Sequence, residues 1–315
     1  MARKKKAPAI ESPEPAASSP GLLRSLRRQL YRPALLVAAA ALVALACGWP
    51  VIHRLMPLLD GRSEYRLRAA QIQITQPPHW VPHNLVEQVI EKADLPAEMS
   101  LLDENLARDI AEAFALHPWV EEVVSVTKSF PAMVEVKLNY RRPVAMVQVK
   151  QGLYPIDVQG VLLPPQDFSA ADAKTYPQIL DVLSTPQGPA GSDWGDPVVA
   201  EAARLANELA PYWKKLQLAA IICPRAQKRT DSLDEGIYTL TTTGGSQIIW
   251  GHGPGSDHPG ELSTEQKIER LEKYASQYRG LDQPNQRFRI DIRHWRDIRR
   301  SPLSADRDSG DELPR

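Results

Sequence analysis

Hydrophobic and polar positions divide the chain into three parts. Residues 33–52 form a run of twenty residues without a charge, and an α-helix needs about 20 such residues to cross the hydrocarbon core of a membrane. The residues before this run are basic and then rich in Pro, Ala and Ser, which is typical of disorder. The pattern predicts a disordered tail over 1–32, a transmembrane helix over 33–52 and folded protein from about residue 65.

Basic residues flank the apolar run unequally. Only Glu11 and Glu14 oppose the basic residues on its N-terminal side, whereas the four arginines that follow it alternate with Asp60 and Glu64. Because Lys and Arg near a span stay in the cytoplasm, this predicts a single-pass protein with a cytoplasmic N-terminus and residues 53–315 outside. The basic residues before the run are Arg3, Lys4, Lys5, Lys6, Arg24, Arg27, Arg28 and Arg32.

Two other interpretations of the apolar run stay open. Ala44-Leu45-Ala46 is similar to a signal-peptidase site, and Cys47 after Ala46 is faintly similar to a lipoprotein cleavage site. The 32 residues before the run are long for the basic region of a signal peptide. The sequence therefore favours an uncleaved anchor.

Residues 65–142 carry the pattern β-α-α-β-β. Alternating apolar residues predict the strands, and apolar residues at helical spacing predict the helices. Pro82 suits the first turn of one helix, and Asp103 is a candidate N-cap for the next. The predicted elements are strand 65–74, helix 85–90, helix 106–114, strand 120–130 and strand 134–138.

Residues 143–300 predict a β-rich domain with flanking helices, so the fold class is α+β. Asp196 before Pro197 indicates a helix start, and Ser263 with Gln266 forms a capping box for a later helix that Gly280 closes. Residues 164–195, rich in Pro, Gly, Ser and Asp, predict a surface loop, and 301–315 a disordered charged tail. The predicted strands are 145–150, 153–156, 216–222, 237–242, 247–250 and 288–292.

Composition and motifs argue against an enzyme. The net charge is zero, which argues against a nucleic-acid-binding exterior. Cys47 lies in the predicted span and Cys223 outside it, so the two are not expected to pair. Cys223 is expected to fill a strand core, with an intermolecular disulfide as the less favoured alternative. The chain has no Gly-x-Ser-x-Gly elbow. We expect no catalytic residues, no cofactor and no small-molecule substrate.

Two histidine-containing segments are candidates for metal binding. The loop over 251–260 holds His252 and His258 with Asp257 between them, and His79 and His83 are four residues apart. Pro82 makes a shared helical face for the second pair unfavourable. No cysteine or further histidine lies near the first pair, so a flexible hairpin-to-helix loop is favoured and no metal is expected.

Several short motifs lie along the chain between residues 117 and 293. They are His117-Pro118-Trp119-Val120, Val124-Ser125-Val126, Phe130-Pro131, Val134-Glu135-Val136, Arg141-Arg142-Pro143-Val144-Ala145, the hairpin Tyr154–Leu162 and Asp291-Ile292-Arg293. Together these motifs resemble the FtsQ/DivIB cell-division family. The resemblance implies a POTRA domain over 65–142 and an FtsQ-type β-domain over 143–300.

The family resemblance implies a non-enzymatic scaffold at the division septum. It would link early division components to the machinery for septal peptidoglycan, with small coiled-coil membrane proteins such as FtsB and FtsL as partners. The partners would dock on the last predicted strand, Phe288–Trp295, by β-augmentation of a free sheet edge. The implied partner-binding residues are Ile290, Asp291, Arg293 and His294, joined by Trp295 as an aromatic anchor.

Other interpretations of this strand and of the chain remain. Phe288, Ile290 and Ile292 can instead be core residues, with Trp295 covering the edge of the domain. The chain can also be a POTRA-bearing envelope-assembly or secretion component, although no barrel follows and only one POTRA-like unit is present. A membrane-tethered envelope hydrolase is disfavoured because an active site is missing from the sequence.

Overall fold

The computed structural model describes residues 33–60, 62–224, 236–256, 258–283 and 286–303. The chain forms two compact units, with the boundary between Ser63 and Glu64. The predicted tail over 1–32 lies outside the described residues, as do residues 304–315 of the predicted C-terminal tail.

The first unit contains helix α1, Pro33–Asp60. The predicted apolar run 33–52 lies within this helix. Among the described residues, no helix combines the length and the apolar character needed to cross a membrane. Large apolar side chains of α1 that are exposed are Val37, Leu42, Val43, Leu45, Trp49, Val51 and Ile52.

The second unit begins with two small sheets and two helices. The elements are β1 Arg66–Arg68, β2 Ile72–Ile74, α2 Leu85–Lys92, β3 Glu98–Ser100, α3 Leu106–Ala115, β4 Val120–Ser129 and β5 Met133–Tyr140. In the three-stranded sheet β5 lies in the centre, parallel to β2 and antiparallel to β4, while β1 pairs with β3 in the two-stranded sheet.

The predicted order of helices and strands is therefore present, with two local differences. A 3-10 turn over Ala69–Gln71 splits the predicted strand 65–74 into β1 and β2, and the short strand β3 was not predicted. Asp103 does not cap α3. Its carboxylate instead accepts a hydrogen bond from the Asn105 N–H at 2.9 Å, so it stabilises the turn before the helix.

The predicted apolar faces of this part are buried against each other. In β5 the alternation holds, with Val134, Val136 and Leu138 buried. In α3, Leu106, Ile110 and Phe114 are also buried. Together with Leu67, Leu85 and Trp119 they form one continuous hydrophobic cluster, which we call the first core.

Among the described residues from Ala145 onward, the strands form a single eight-stranded sheet with flanking helices. The strand order is β13-β12-β11-β10-β9-β8-β6-β7, and the pairs β6/β8, β8/β9 and β11/β12 are parallel. The elements are β6 Ala145–Val149, β7 Gly152–Ile156, α4 Ala170–Ala173, β8 Gln178–Leu180, α5 Pro197–Leu209, β9 Leu218–Ile222, β10 Tyr238–Thr242, β11 Gln247–Gly251, α6 Thr264–Tyr278, β12 Phe288–Asp291 and β13 Arg299–Pro302.

Capping residues predicted from the sequence begin the two long helices. The Asp196 carboxylate accepts a hydrogen bond from the Val198 N–H at 3.0 Å at the start of α5. Ser263 and Gln266 form the capping box of α6. At the other end of α6 it is Arg279, with φ of 61°, that takes the left-handed conformation ahead of Gly280.

Two predictions for this part of the chain were wrong. Residues 164–195 are not only a loop, because β8 lies inside the sheet between β6 and β9. The charged tail does not begin at residue 301, because Ser301 and Pro302 belong to β13. Strand β8 has only three residues, and the four residues of β13 show no apolar alternation, so neither carries a pattern that predicts a strand.

One buried ion pair joins the two halves of the second unit. Arg141, directly after β5, donates to the Asp157 carboxylate at 2.6 Å, and the Asp157 side chain is only 3% exposed. The same carboxylate accepts the backbone N–H groups of Gln159 and Val161, each at 2.9 Å. Leu163, which follows this turn, packs into the first core.

We predict that Asp157→Ala strongly destabilises the protein. Removing one partner of a buried pair leaves the other charge uncompensated, which costs about 3–5 kcal/mol. As a control, Glu98→Ala removes a solvent-exposed carboxylate that pairs with Arg66 and Arg68, and it should change stability little. Urea unfolding followed by circular dichroism measures both. Equal losses for the two variants would contradict the prediction.

Buried His117 gives the second unit a dependence of stability on pH. Its Nε2 lies 3.2 Å from the Gln88 side-chain oxygen, and its Nδ1 accepts a hydrogen bond from the Trp119 N–H at 3.4 Å. Each nitrogen of the neutral ring therefore has a hydrogen-bond partner. Burial, assisted by the charge of Lys92 and opposed by Asp167, lowers the pKa of His117 to about 4.

The free energy of unfolding should fall as pH decreases from about 6.5 to about 4. The unfolded histidine takes up a proton near its ordinary pKa of about 6.5, whereas the folded one resists it. At about pH 5 this amounts to about 2 kcal/mol. Urea unfolding at about pH 7 and about pH 5 measures this loss. The free energy of unfolding of His117→Asn should not show it, whereas that of His83→Asn, a variant at an exposed histidine, should show it as the parent does. An unchanged pH dependence in His117→Asn would refute the assignment.

Candidate partner-binding edge

The predicted docking strand does not lie at the edge of the sheet. Strand β12 pairs with β11 on one side and with β13 on the other, so the prediction of a free edge at Phe288–Trp295 was wrong. After Ile292 the chain turns back, and β13 runs antiparallel to β12 as the outer strand among those described. The sequence Arg299-Arg300-Ser301-Pro302 has no apolar alternation, so it carried no strand signal.

The five predicted partner-binding residues fall into two groups. Ile290 is fully buried and belongs to the core between the sheet and its helices, as do Phe288 and Ile292. The other four lie at the end of β12 and in the turn that follows it. Of these, His294 and Trp295 are exposed, whereas Asp291 and Arg293 are half-buried.

Asp291 and Arg293 form a local ion pair that shapes the turn. Both the backbone N–H and the guanidinium Nε of Arg293 donate to Asp291 Oδ1 at 3.1 Å, and a second guanidinium nitrogen donates to Oδ2 at 2.9 Å. Burial raises the pKa of the Asp291 carboxyl, but the hydrogen bonds from Arg293 outweigh it and hold that pKa below its ordinary value. His294 approaches the same carboxylate at 4.0 Å.

The Trp295 side chain projects from the turn into solvent, whereas a hydrogen bond fixes its backbone. Its side chain is 68% exposed, and its carbonyl accepts a hydrogen bond from Arg270 of α6 at 2.7 Å. The Arg296 guanidinium lies over the indole ring at 4.8 Å from the ring centroid. A Trp side chain has only about two rotatable bonds, so it offers a large contact area at a low cost in conformational entropy, and Trp is enriched among interface anchors.

A basic cleft of about 360 Å³ lies between α6 and the turn that leads into β13. We call this cleft, together with β13 and Trp295, the β13 edge. Arg300 spans it, with its guanidinium 3.5 Å from the centroid of the Phe288 ring and a donor 2.6 Å from the Gln283 carbonyl. Charged side chains lining the cleft are Arg270, Lys273, Arg296, Arg300 and a single acid, Asp297.

Three buried polar atoms at this cleft have no hydrogen-bond partner among the described residues. They are the Nε atoms of Arg270 and Arg300 and the hydroxyl of Tyr274. All three can donate, and a buried donor without an acceptor costs free energy. The cleft is therefore suited to acceptor groups, above all carboxylates. The sequence indicated Trp295 but gave no signal for the basic residues of α6 and β13.

We predict stability effects of very different size for two of the five residues. Ile290→Ala should cost about 2–5 kcal/mol, because it leaves a cavity in the core. Trp295→Ala should stay within about 0.5 kcal/mol of the parent, because the ring is exposed. Urea unfolding measures both. A large loss in Trp295→Ala would show that the indole covers the core and does not serve as a free surface.

The comparison with known families gives one match. The family described as "Cell division protein FtsQ/DivIB, C-terminal" matches residues 145–293. No individual curated protein is matched by the chain. The matched stretch begins with β6, ends at Arg293 and includes the ion pair with Asp291. This match identifies residues 145–293 as similar to the C-terminal region of FtsQ/DivIB and supports an FtsQ/DivIB family protein.

Proposed function

We propose that this chain is a non-enzymatic divisome scaffold at the cytoplasmic membrane, linking early division components to the machinery for septal peptidoglycan. The observation that carries the proposal is the family match over 145–293, the region that forms almost all of the eight-stranded sheet. The family is one of non-enzymatic division proteins that take part in division complexes.

In this proposal the N-terminal helix is the membrane anchor. Its support is the uncharged run 33–52 inside helix α1, with large apolar side chains exposed along it. The basic residues before the run favour a cytoplasmic N-terminus. The remainder of the chain would then lie outside the cytoplasmic membrane. Confinement to the membrane plane raises the effective concentration of partners and strengthens weak contacts.

The exterior part would comprise a POTRA domain over 65–142 and an FtsQ-type β-domain over 143–300. Support comes from two separate hydrophobic cores, one formed by residues from Leu67 to Leu138 together with Leu163, the other by residues from Val144 to Ile292. The element order of the first part, with two helices packed on a three-stranded sheet, agrees with the POTRA resemblance.

The partners would be small coiled-coil membrane proteins of the FtsB and FtsL type, docked at the β13 edge. An outer strand leaves backbone N–H and C=O groups free for an added strand. The surrounding arginines favour a segment rich in Asp and Glu, since complementary charge steers association and fixes register. Relative to the sequence-based proposal, only Ile290 leaves the contact surface. Arg299 and Arg300 join the remaining four residues, which are Asp291, Arg293, His294 and Trp295.

We expect a fluorescent fusion at the N-terminus to form a band at the division site of dividing cells depleted of the native copy. Depletion without rescue should give filamentous or chained cells. The double variant Trp295→Ala with Arg299→Glu should still reach the membrane yet fail to restore division, because it removes the anchor and reverses a charge at the edge. Cell length, band position and co-purified small membrane proteins are the measurements.

The matched control is the double variant Leu183→Ala with Arg108→Glu. It also removes one exposed apolar side chain and reverses one exposed arginine, but on other elements of the second unit. It should restore division fully. Uniform envelope signal with normal division would refute the division role. Full rescue by the edge variant would refute docking at the β13 edge but would leave the division role standing.

A further inference from the structure

The loop between β11 and α6 brings three potential metal ligands together. One ligand atom from each of His252, His258 and Glu261 lies within 4.8 Å of the other two. His252 directly follows β11, His258 lies six residues further along the loop, and Glu261 is separated by one residue from Ser263, where the capping box of α6 begins. The loop was predicted from sequence to be a flexible connector, because the spacing matches no familiar metal motif.

The Glu261 carboxylate is held in one orientation by its neighbours. Oε1 accepts the backbone N–H of His252 at 2.8 Å and the Lys267 ammonium at 2.5 Å, which leaves Oε2 directed at His252 Nδ1, 2.5 Å away. The Lys267 side chain is only 3% exposed and lies over the Trp250 ring. Partners that fix a carboxylate in this way are typical of the groups around metal ligands.

Gly251 makes the close approach of this carboxylate possible. Its φ is 102°, a conformation that favours glycine. A Cβ at this position would lie 2.2 Å from Glu261 Oε1. The backbone therefore provides a space that the carboxylate fills, and the orientation of Glu261 is built into the end of β11.

His258 approaches from the open side of the same site. Its ring stacks on that of His252, with centroids 4.3 Å apart and an angle of 14° between the planes. Both rings line a cleft of about 440 Å³, which Arg293 and His294 also line. His258 is exposed, so an ion has access to the site from solvent.

We propose that His252, His258 and Glu261 bind a divalent transition-metal ion, with Zn²⁺ the best match. Two imidazoles and one carboxylate with a water in the fourth position form a known zinc ligand set, with bonds of about 2.0–2.2 Å. Tetrahedral geometry with such bonds places ligand atoms about 3.3 Å apart. To reach this value, the hydrogen-bonded pair of His252 Nδ1 and Glu261 Oε2, now 2.5 Å apart, has to open, and the spread of up to 4.8 Å among the three ligand atoms has to close.

A simpler role for these residues predicts something different. Glu261 could serve only to pair Lys267 and His252 and so hold the loop against α6. That role uses neither the His258 ring nor an ion. His258 therefore separates the two explanations, and because it is exposed, its replacement should not disturb folding. The metal proposal does not depend on the proposed division role.

The test uses the full-length chain, purified in detergent with a tag free of histidine and stripped with a chelator. Calorimetric titration with ZnCl2 should give one ion per chain. His258→Ala and Glu261→Gln should each weaken binding by about tenfold or more, while His83→Ala, which removes another exposed histidine, should bind like the parent. Cobalt substitution should give the visible absorption of a tetrahedral site in the parent and in His83→Ala only.

Two results would overturn the proposal. The first is the absence of stoichiometric zinc binding in the parent chain. The second is equal binding by the parent and His258→Ala, which would assign the ion to adventitious surface sites. Circular dichroism of each variant shows whether it is folded. If Glu261→Gln is unfolded, the comparison between His258→Ala and His83→Ala decides alone.

Discussion

The second unit depends on how one buried carboxylate is satisfied. Burying the Asp157 carboxylate is costly unless it has hydrogen-bond partners. These partners come from both halves of the second unit: the guanidinium of Arg141, which follows β5, and two backbone N–H groups of the turn that contains Asp157. Arg141 in turn is tied to the first core, since its N–H donates to the Trp119 carbonyl and its carbonyl accepts the Trp80 indole. The two hydrophobic cores are joined by polar contacts of defined geometry, which fix orientation in a way that apolar burial alone does not.

Features that depend on local spacing were predictable from the sequence. Four such features are the buried faces of α3 and β5, the cap at Asp196 and the capping box at Ser263. Each could be recognised because it depends on residues that are close together in the sequence. Strands β8 and β13 were not. Each is held in place by pairing with strands distant in sequence, and neither carries an alternating pattern long enough to be recognised.

The candidate sites were only partly predictable for the same reason. A short motif pointed to Asp291 and Arg293 and to the adjoining Trp295, but it did not predict the ion pair between the first two. The contribution of Arg270 and Arg300 depends on how α6 packs beside β13. Likewise, His252 and His258 were visible in the sequence. The approach of Glu261 depends on the conformation at Gly251 and on buried Lys267, which no spacing rule indicates.

The position of β13 has a consequence for the order of assembly. It can pair only after β12 is in place, and β12 joins β11 in parallel through the whole of α6. Parallel strands joined by a long connection pair slowly, because closing the connection lowers the entropy of the chain before the contacts between the strands can stabilise it. The outer strand is thus among the last parts of the sheet to form. A partner that recognises it would engage only chains whose sheet is complete, so docking would also act as a check on folding.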